Sequence, residues 1–206
     1  MHTDAYAVYG TLHKAGKAKP VFCWAHARRR FVTALQAGDE RARRPLQWIS
    51  RLFLVDRYAR ENRLDVEVTY VLRNRVSMKI ITGFEKSLKA MEIAVLPKSA
   101  LGEAMGYFRK YREGFLTFLT HGGLSLDNNL SERQIRQVVI GRKNYLFCGS
   151  ENGARRAAIM YSLVCTCKLI GIDPWKYLSR VFKTLAEVPE TDPTTLTPVS
   201  LKQILA

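Results

Sequence analysis

The sequence predicts an α/β protein with a large helical content. Three observations indicate this fold class. The first 35 residues alternate between helical and strand-like patterns, residues 39–120 carry apolar side chains at helical spacing, and well-delimited helices follow residue 129. A length of 206 residues and a hydrophobic content of 47% are sufficient for a soluble domain with a real core.

Residues 1–38 form the predicted α/β part. Apolar residues on one face predict a short helix over residues 5–16, and the apolar run from Val21 to Trp24 predicts a buried strand. A second helix is predicted to begin near Ala25. Asp4 therefore lies just before the first helix, where open α/β sheets place functional side chains.

Residues 39–120 predict an all-helical insertion. Trp48, Leu52, Val55 and Ala59 recur at spacings of four, three and four, and Arg57 falls outside the face that they form. The segment has no convincing strand pattern and no internal repeat. It interrupts the chain between the α/β part and the motifs that follow.

Residues 121–188 predict three further helices. The first begins near Asn129 and the second covers Ala154 to Leu169, with the basic and aromatic sequence "GRKNYLF" as a loop between them. The third begins after Asp173, which is followed by a proline suited to a first helical position. The tail over residues 189–206 is rich in Thr and Pro and is expected to be loosely held.

The charge balance is the unusual bulk property. The chain has 33 Lys and Arg against 18 Asp and Glu, a net charge of +15 and a pI near 9.9. A protein this basic is expected to bind a polyanion, and DNA is the first candidate. Membrane surfaces are the competing partner, but the basic residues are spread over the chain rather than gathered on one amphipathic helix.

No run of residues is long and apolar enough to predict a transmembrane helix, and the first ten residues are too polar for a signal peptide. The four cysteines do not form a disulfide scaffold or a zinc pattern, so we interpret them as reduced and mostly buried thiols. These observations predict a cytoplasmic, nucleoid-associated protein without a membrane partner.

The stretch "LDNNLSERQIRQ" contains the main candidate for a functional acid, Glu132. Asn129 followed by Glu132 three residues later fits a capping box, and Asp127 or Asn128 could cap the helix in shifted registers. In the functional alternative, Glu132 is a metal ligand that faces nucleic acid. Phosphoryl transfer on DNA uses carboxylates that hold two magnesium ions, and Asp4 is the candidate partner of Glu132, although an ordinary helix cap explains Asp4 as well.

Basic residues accompany this acid. Arg133 and Arg136 could contact phosphates beside a metal site, although an ordinary ion pair between Glu132 and Arg136 explains the same spacing. Arg142 and Lys143 stand next to aromatic residues that could stack on bases. His26 in "CWAHARRRF" could contact phosphate or could be an ordinary helix histidine.

The blocks "HTDAYAVY", "CWAHARRRF", "LPKSALGEAMGYF" and the long segment from Leu126 to Leu178 together resemble the C-terminal part of the insertion-sequence-66 family of transposases. The resemblance covers nearly the whole chain, and Leu126 to Leu178 is its most specific part. It implies an incomplete ribonuclease-H-like catalytic core, interrupted by the helical insertion. It also implies an Asp-Asp-Glu metal site that binds Mg²⁺ and cuts and joins DNA strands.

By position in the motifs, Asp4 resembles the second Asp of that triad and Glu132 resembles its Glu. Both are therefore expected to be catalytic metal ligands. The expected partners are transposon ends and target DNA, together with other copies of the chain or a longer transposase. The candidate DNA-contacting residues are Arg133, Arg136, Arg142, Lys143, Asn128, Asn129, His26 and Arg28.

The family's first catalytic Asp is expected upstream of residue 1, on the opening strand of the sheet. The chain is accordingly expected to be truncated at its N-terminus and inactive alone, as part of a transposase. The alternative is a catalytically inert DNA-binding or assembly remnant. Because sheet neighbours would be missing, the first 35 residues are also expected to be the least protected, while the helices from Asn129 to Leu178 pack on one another.

Overall fold

The computed structural model describes residues 2–3 and 19–205. The chain divides into two compact units, Met1–Leu130 and Ser131–Ala206. Regular structure in the described part is almost entirely helical, which confirms the predicted helical content. The predicted helix over residues 5–16 and the candidate acid Asp4 lie outside the described residues.

Two short strands are described in the first unit. β1 (His2–Thr3) and β2 (Val21–Phe22) pair in parallel, with His2 opposite Val21 and Thr3 opposite Phe22. The predicted strand from Val21 to Trp24 is thus shorter than expected, because Trp24 already belongs to the next helix. β1 ends at the residue before Asp4, so a strand does precede this acid in the chain.

Helices make up the rest of the first unit. They are α1 (Trp24–Gln36), α2 (Arg43–Glu61), α3 (Val66–Leu72), α4 (Met78–Met91), α5 (Ala100–Lys110) and α6 (Arg112–Leu116). Three short 3₁₀ segments (Glu40–Ala42, Glu92–Ala94 and Thr117–Thr120) and one π-helical turn (Arg73–Ser77) connect them. No strand is described within residues 39–120.

α1 shows how the sequence shapes this unit. Trp24, Ala27, Phe31 and Ala34 recur at spacings of three and four, and all four are buried along one face. The run Arg28–Arg30 falls on the opposite, exposed face. The helix begins one residue earlier than predicted, after Cys23 in an extended conformation.

An aromatic cluster forms the centre of this unit. Trp24 lies 5.6 Å from Phe84 and 5.2 Å from Phe115 between ring centroids, and Phe84 meets Phe108 edge to face at 4.8 Å. The indole N–H of Trp24 donates to the carbonyl oxygen of Phe115 at 3.0 Å, so its one polar group is satisfied inside the core. Residues predicted to belong to separate segments, 1–38 and 39–120, therefore share one core.

The second unit is also built from helices. They are α7 (Asn129–Tyr145), which begins at the end of the first unit, α8 (Glu151–Ile170), α9 (Pro174–Glu187) and the short α10 (Lys202–Leu205). Gly171 ends α8 in the left-handed conformation with φ of 79°, and the carboxylate of Asp173 accepts from the N–H of Trp175 at 2.8 Å. None of the helices in the described part is long and apolar enough to cross a membrane.

A small core holds the second unit together. Tyr177 is buried there, and its hydroxyl donates to the carbonyl oxygen of Leu196 at 2.8 Å. Leu196 and Leu201 are buried in the same core, so the end of the chain is packed in place rather than loosely held as predicted. The Thr- and Pro-rich composition suggested a loose tail, but two well-placed leucines provide the apolar contacts.

α7 differs from the expectation that its apolar face would be packed. No residue of this helix is buried. Its large apolar side chains are between 39% and 60% exposed: Leu130, Ile135, Val138, Val139 and Ile140. α8 and α9 do pack on each other, as predicted. The helix that carries the candidate acid is thus the most solvent-accessible long helix of the described part.

Candidate functional site

The start of α7 is fixed to the start of α1. The N–H of Trp24 donates to the carbonyl oxygen of Leu126 at 3.1 Å, and the N–H of Asn128 donates to the Sγ of Cys23 at 3.5 Å. Leu126 is 1% exposed and belongs to the core of the first unit. These contacts set where the backbone of α7 begins, three residues before Glu132.

Asp127 caps this helix start. Its carboxylate accepts from the backbone N–H of Asn129 at 3.1 Å and from the Asn129 side-chain amide at 2.8 Å. Asn129 is thus a donor within α7 rather than the N-cap of the capping box that the sequence first suggested. The shifted register, which the sequence left open, is the one that the structure adopts.

Glu132 lies in the first turn of α7 and is half-buried. A carboxylate in this position is favoured by the partial positive charge of a helix N-terminus. Its predicted partner Asp4 is outside the described residues, so their pairing stays a prediction. Within residues 2–3 and 19–205, no three His, Cys, Asp or Glu side chains are grouped so that they could hold a metal ion.

The basic candidates of α7 are exposed. Arg133, Arg136 and Lys143 follow one another at spacings of three and seven, which places them on one side of the helix. No carboxylate in the described part forms an ion pair with Arg133 or Arg136. Arg142 and Lys143 belong to the last turn of α7, and not to the loop that the sequence predicted for "GRKNYLF".

The remaining candidates lie on the first unit and at its junction with α7. His26 is half-buried on α1, with its Nε2 3.2 Å from the Nη1 of Arg29. Arg28 is exposed on the same helix. Asn128 is half-buried, and its Oδ1 has no hydrogen-bond partner among the described residues. The structure thus brings Arg28, His26 and Asn129 to one end of α1.

One feature of this region was missed by the sequence analysis. A cavity of about 520 Å³ opens between α1 and α2 and reaches the first residue of α7. Its lining consists of Ala25, Arg28, Arg29, Ser50, Phe53, Leu54, Arg57 and Asn129. The spacing of the α2 residues could have indicated that they share one face of the helix. Ser50, Leu54 and Arg57 recur at spacings of four and three.

Burial also changes the chemistry of the thiol at this junction. Cys23 is fully buried, and burial raises the pKa of its thiol above the ordinary value, partly offset by the hydrogen bond from the N–H of Asn128. The thiol is therefore kept neutral and serves as an acceptor for the backbone before α7. By contrast Cys148 is exposed, which differs from the prediction of mostly buried cysteines.

Comparison with known protein families gives one match that covers most of the chain. The family model described as Transposase IS66 family matches residues 1–156, which is 156 of the 206 residues. The chain therefore belongs to the IS66 transposase family. The matched region includes both candidate acids and every candidate DNA-contacting residue.

Relatives of similar sequence are found in Sinorhizobium fredii. The uncharacterized protein y4hP is 34% identical over 93% of this chain, and the uncharacterized protein y4qI is 33% identical over 91%. The chain spans 37% and 36% of the length of these two relatives, respectively. No solved structure matches the chain.

Proposed function

We propose that this chain is the part of a transposase that supplies the Glu of a metal-dependent site for DNA strand cleavage and transfer. The observation that carries the proposal is the position of Glu132, in the first turn of a basic helix whose start is held by Asp127 and by the backbone of Trp24. The family match over residues 1–156 supports it.

In this proposal Asp4 is the second carboxylate of the site. It directly follows β1, and side chains that follow parallel strands are common functional groups in open α/β sheets. The parallel pairing of β1 with β2 supports a ribonuclease-H-like core, of which these two strands form a part. Carboxylate oxygens are the ligands that Mg²⁺ prefers, so both residues are chemically suited to it.

When bound, Mg²⁺ would activate the attacking oxygen and stabilise the leaving oxygen at the scissile phosphate. The described residues provide one of the proposed carboxylates and do not form a complete metal site by themselves. The protein's own contribution is to hold Glu132 at a fixed backbone position and to bind DNA phosphates through Arg133 and Arg136. Two acids are too few for a two-ion clamp, so the 206-residue chain alone is proposed to bind DNA without cutting it.

Paramagnetic Mn²⁺ tests the carboxylate site directly. In amide spectra of the isotopically labelled chain, low concentrations of Mn²⁺ should broaden the signals around Asp4 and Glu132 first. Glu132→Gln should abolish this selective broadening. Glu151→Gln is the matched control, because Glu151 lies in the first turn of α8, and it should leave the broadening unchanged.

Cleavage is tested with DNA that carries the ends of an IS66-type element, in Mg²⁺ or Mn²⁺. The chain should retard this DNA without nicking it. Nicking that depends on Glu132 would contradict the proposed inactivity of the isolated chain. Broadening around neither acid, combined with DNA binding, would instead favour the inert DNA-binding remnant.

A further inference from the structure

The cavity between α1 and α2 has an unusual distribution of charge. Arg28 and Arg57 line it, both are exposed, and neither makes an ion pair or a side-chain hydrogen bond with any described residue. No carboxylate is present among the lining residues. The cavity therefore presents two cations that no described residue neutralises.

Several other arginines of the first unit form ion pairs with carboxylates, unlike Arg28 and Arg57. Arg41 pairs with Asp39 at 2.8 Å, and Arg112 pairs with Glu85 at 2.6 Å. Arg109 pairs with Glu92 at 2.8 Å. Carboxylates of this unit thus form internal pairs with arginines outside the cavity, while Arg28 and Arg57 are left for a ligand that carries negative charge.

The cavity also has an apolar surface. Phe53 is half-buried and packs against the core of the first unit, and Leu54 is 56% exposed. A pocket that combines cations with an apolar surface suits a nucleotide, since the phosphate binds the cations and the base covers the apolar side chains. A volume of about 520 Å³ lies in the range of pockets that hold ligands of this size.

We propose that this cavity binds one nucleotide of the DNA strand, with its phosphate at Arg28 and Arg57 and its base over Phe53 and Leu54. The inference rests on the proposed function, because it assigns part of the DNA contact to a defined place in this chain. Asn129 lines the cavity and precedes Glu132 by three residues in α7. The lining of the cavity thus includes the first residue of α7.

The phosphate contact is tested with a fluorescent single-stranded oligonucleotide and the 206-residue chain. The double variant Arg28→Gln/Arg57→Gln should weaken binding about tenfold or more at fixed salt. The matched control is Arg44→Gln/Arg75→Gln, which removes two exposed arginines outside the cavity from the same unit and should weaken binding less than about threefold. All four positions are exposed, so circular dichroism should show that both variants fold.

The base contact is tested by placing abasic sites in the oligonucleotide. The wild-type chain should bind the abasic strand about fivefold or more weakly, because base stacking is lost. Leu54→Glu should remove this preference for bases and weaken binding, while Ile93→Glu, at a fully exposed position outside the cavity, should keep it. Competition with thymidine monophosphate should displace the strand at lower concentration than inorganic phosphate does.

The outcomes distinguish failure of the cavity proposal from failure of the proposed function. Equal losses in the two double arginine variants would overturn the cavity proposal and leave DNA binding by the chain intact. Displacement by inorganic phosphate as effective as that by the nucleotide would show a simple anion site and would also overturn it. Failure of the wild-type chain to bind any DNA would overturn both the cavity proposal and the DNA contact of the proposed function, whereas the Mn²⁺ experiment tests Glu132 separately.

Discussion

The guanidinium of Arg73 lies 2.6 Å from the carboxylate of Asp56, and the two side chains are only 5% and 14% exposed. The Nη1 of the same guanidinium lies 2.6–3.3 Å from four backbone carbonyl oxygens that share its two N–H groups, those of Phe118, His121, Gly122 and Leu124. One side chain of the π-helical turn therefore fixes the loop that leads to Leu126 and to the start of α7. Asp56 neutralises the charge that this arrangement buries.

Replacing Arg73 with Met should destabilise the first unit by about 3–5 kcal/mol. Such a change leaves Asp56 buried without its cation and removes the donor from four carbonyl oxygens. Urea denaturation at neutral pH measures the loss. Arg112→Met is the matched control: the side chains of Arg112 and Glu85 are 46% and 30% exposed, so this variant should lose less than about 1 kcal/mol. Equal losses in both variants would refute the buried role of Arg73.

Two glycines in neighbouring helices should respond in opposite directions to alanine. A Cβ on Gly114 in α6 would collide with the ring of Phe22, so Gly114→Ala should cost about 1–3 kcal/mol. A Cβ on Gly106 in α5 meets no atom within 4 Å, so Gly106→Ala should stabilise the helix by up to about 1 kcal/mol. Thermal and urea denaturation of the two variants provide the comparison. A stable Gly114→Ala protein would show that Phe22 can move aside.

The thiol of Cys23 should make stability depend on alkaline pH. Burial raises its pKa in the folded state, so the folded protein binds this proton more tightly than the unfolded chain does. The contribution is fully present below the unfolded pKa of about 8.5 and is lost as the pH rises through the folded pKa. Urea denaturation from pH 7 to pH 10 should show a steeper loss for the wild type than for Cys23→Ala. Cys148→Ala, at an exposed cysteine, should follow the wild type.

The sequence predicts that amides of the first 35 residues exchange hydrogen faster than those of the later helices. The structure predicts the opposite for Trp24 compared with α7. The amide of Trp24 is hydrogen-bonded to Leu126 within a fully buried environment, whereas α7 has no buried residue. We therefore expect the Trp24 amide to exchange more slowly than the amides in the middle of α7, such as that of Val138. Faster exchange at Trp24 would support the original expectation that the first 35 residues are the least protected.

Local signals in the sequence predicted much of the helical structure. Gly171 ends α8 and Asp173 with Pro174 begins α9, because a left-handed glycine and a capping carboxylate act within a few residues. The apolar spacing around Leu52 likewise predicted α2. Boundaries were less accurate: α7 continues to Tyr145, since Gly141 in its interior does not interrupt the helix.

The sequence by itself determined the large helical content, the basic charge and the motif that contains Glu132, because composition and short-range spacing do not depend on how distant segments meet. Only the tertiary structure decided that Arg73 is buried against Asp56, that Trp24 holds Leu126, and that α1 and α2 enclose a cavity. These contacts join residues 17 to 102 positions apart in the chain. They depend on which helix faces pack together, and that choice is made by the shared core around Trp24 rather than by any local pattern.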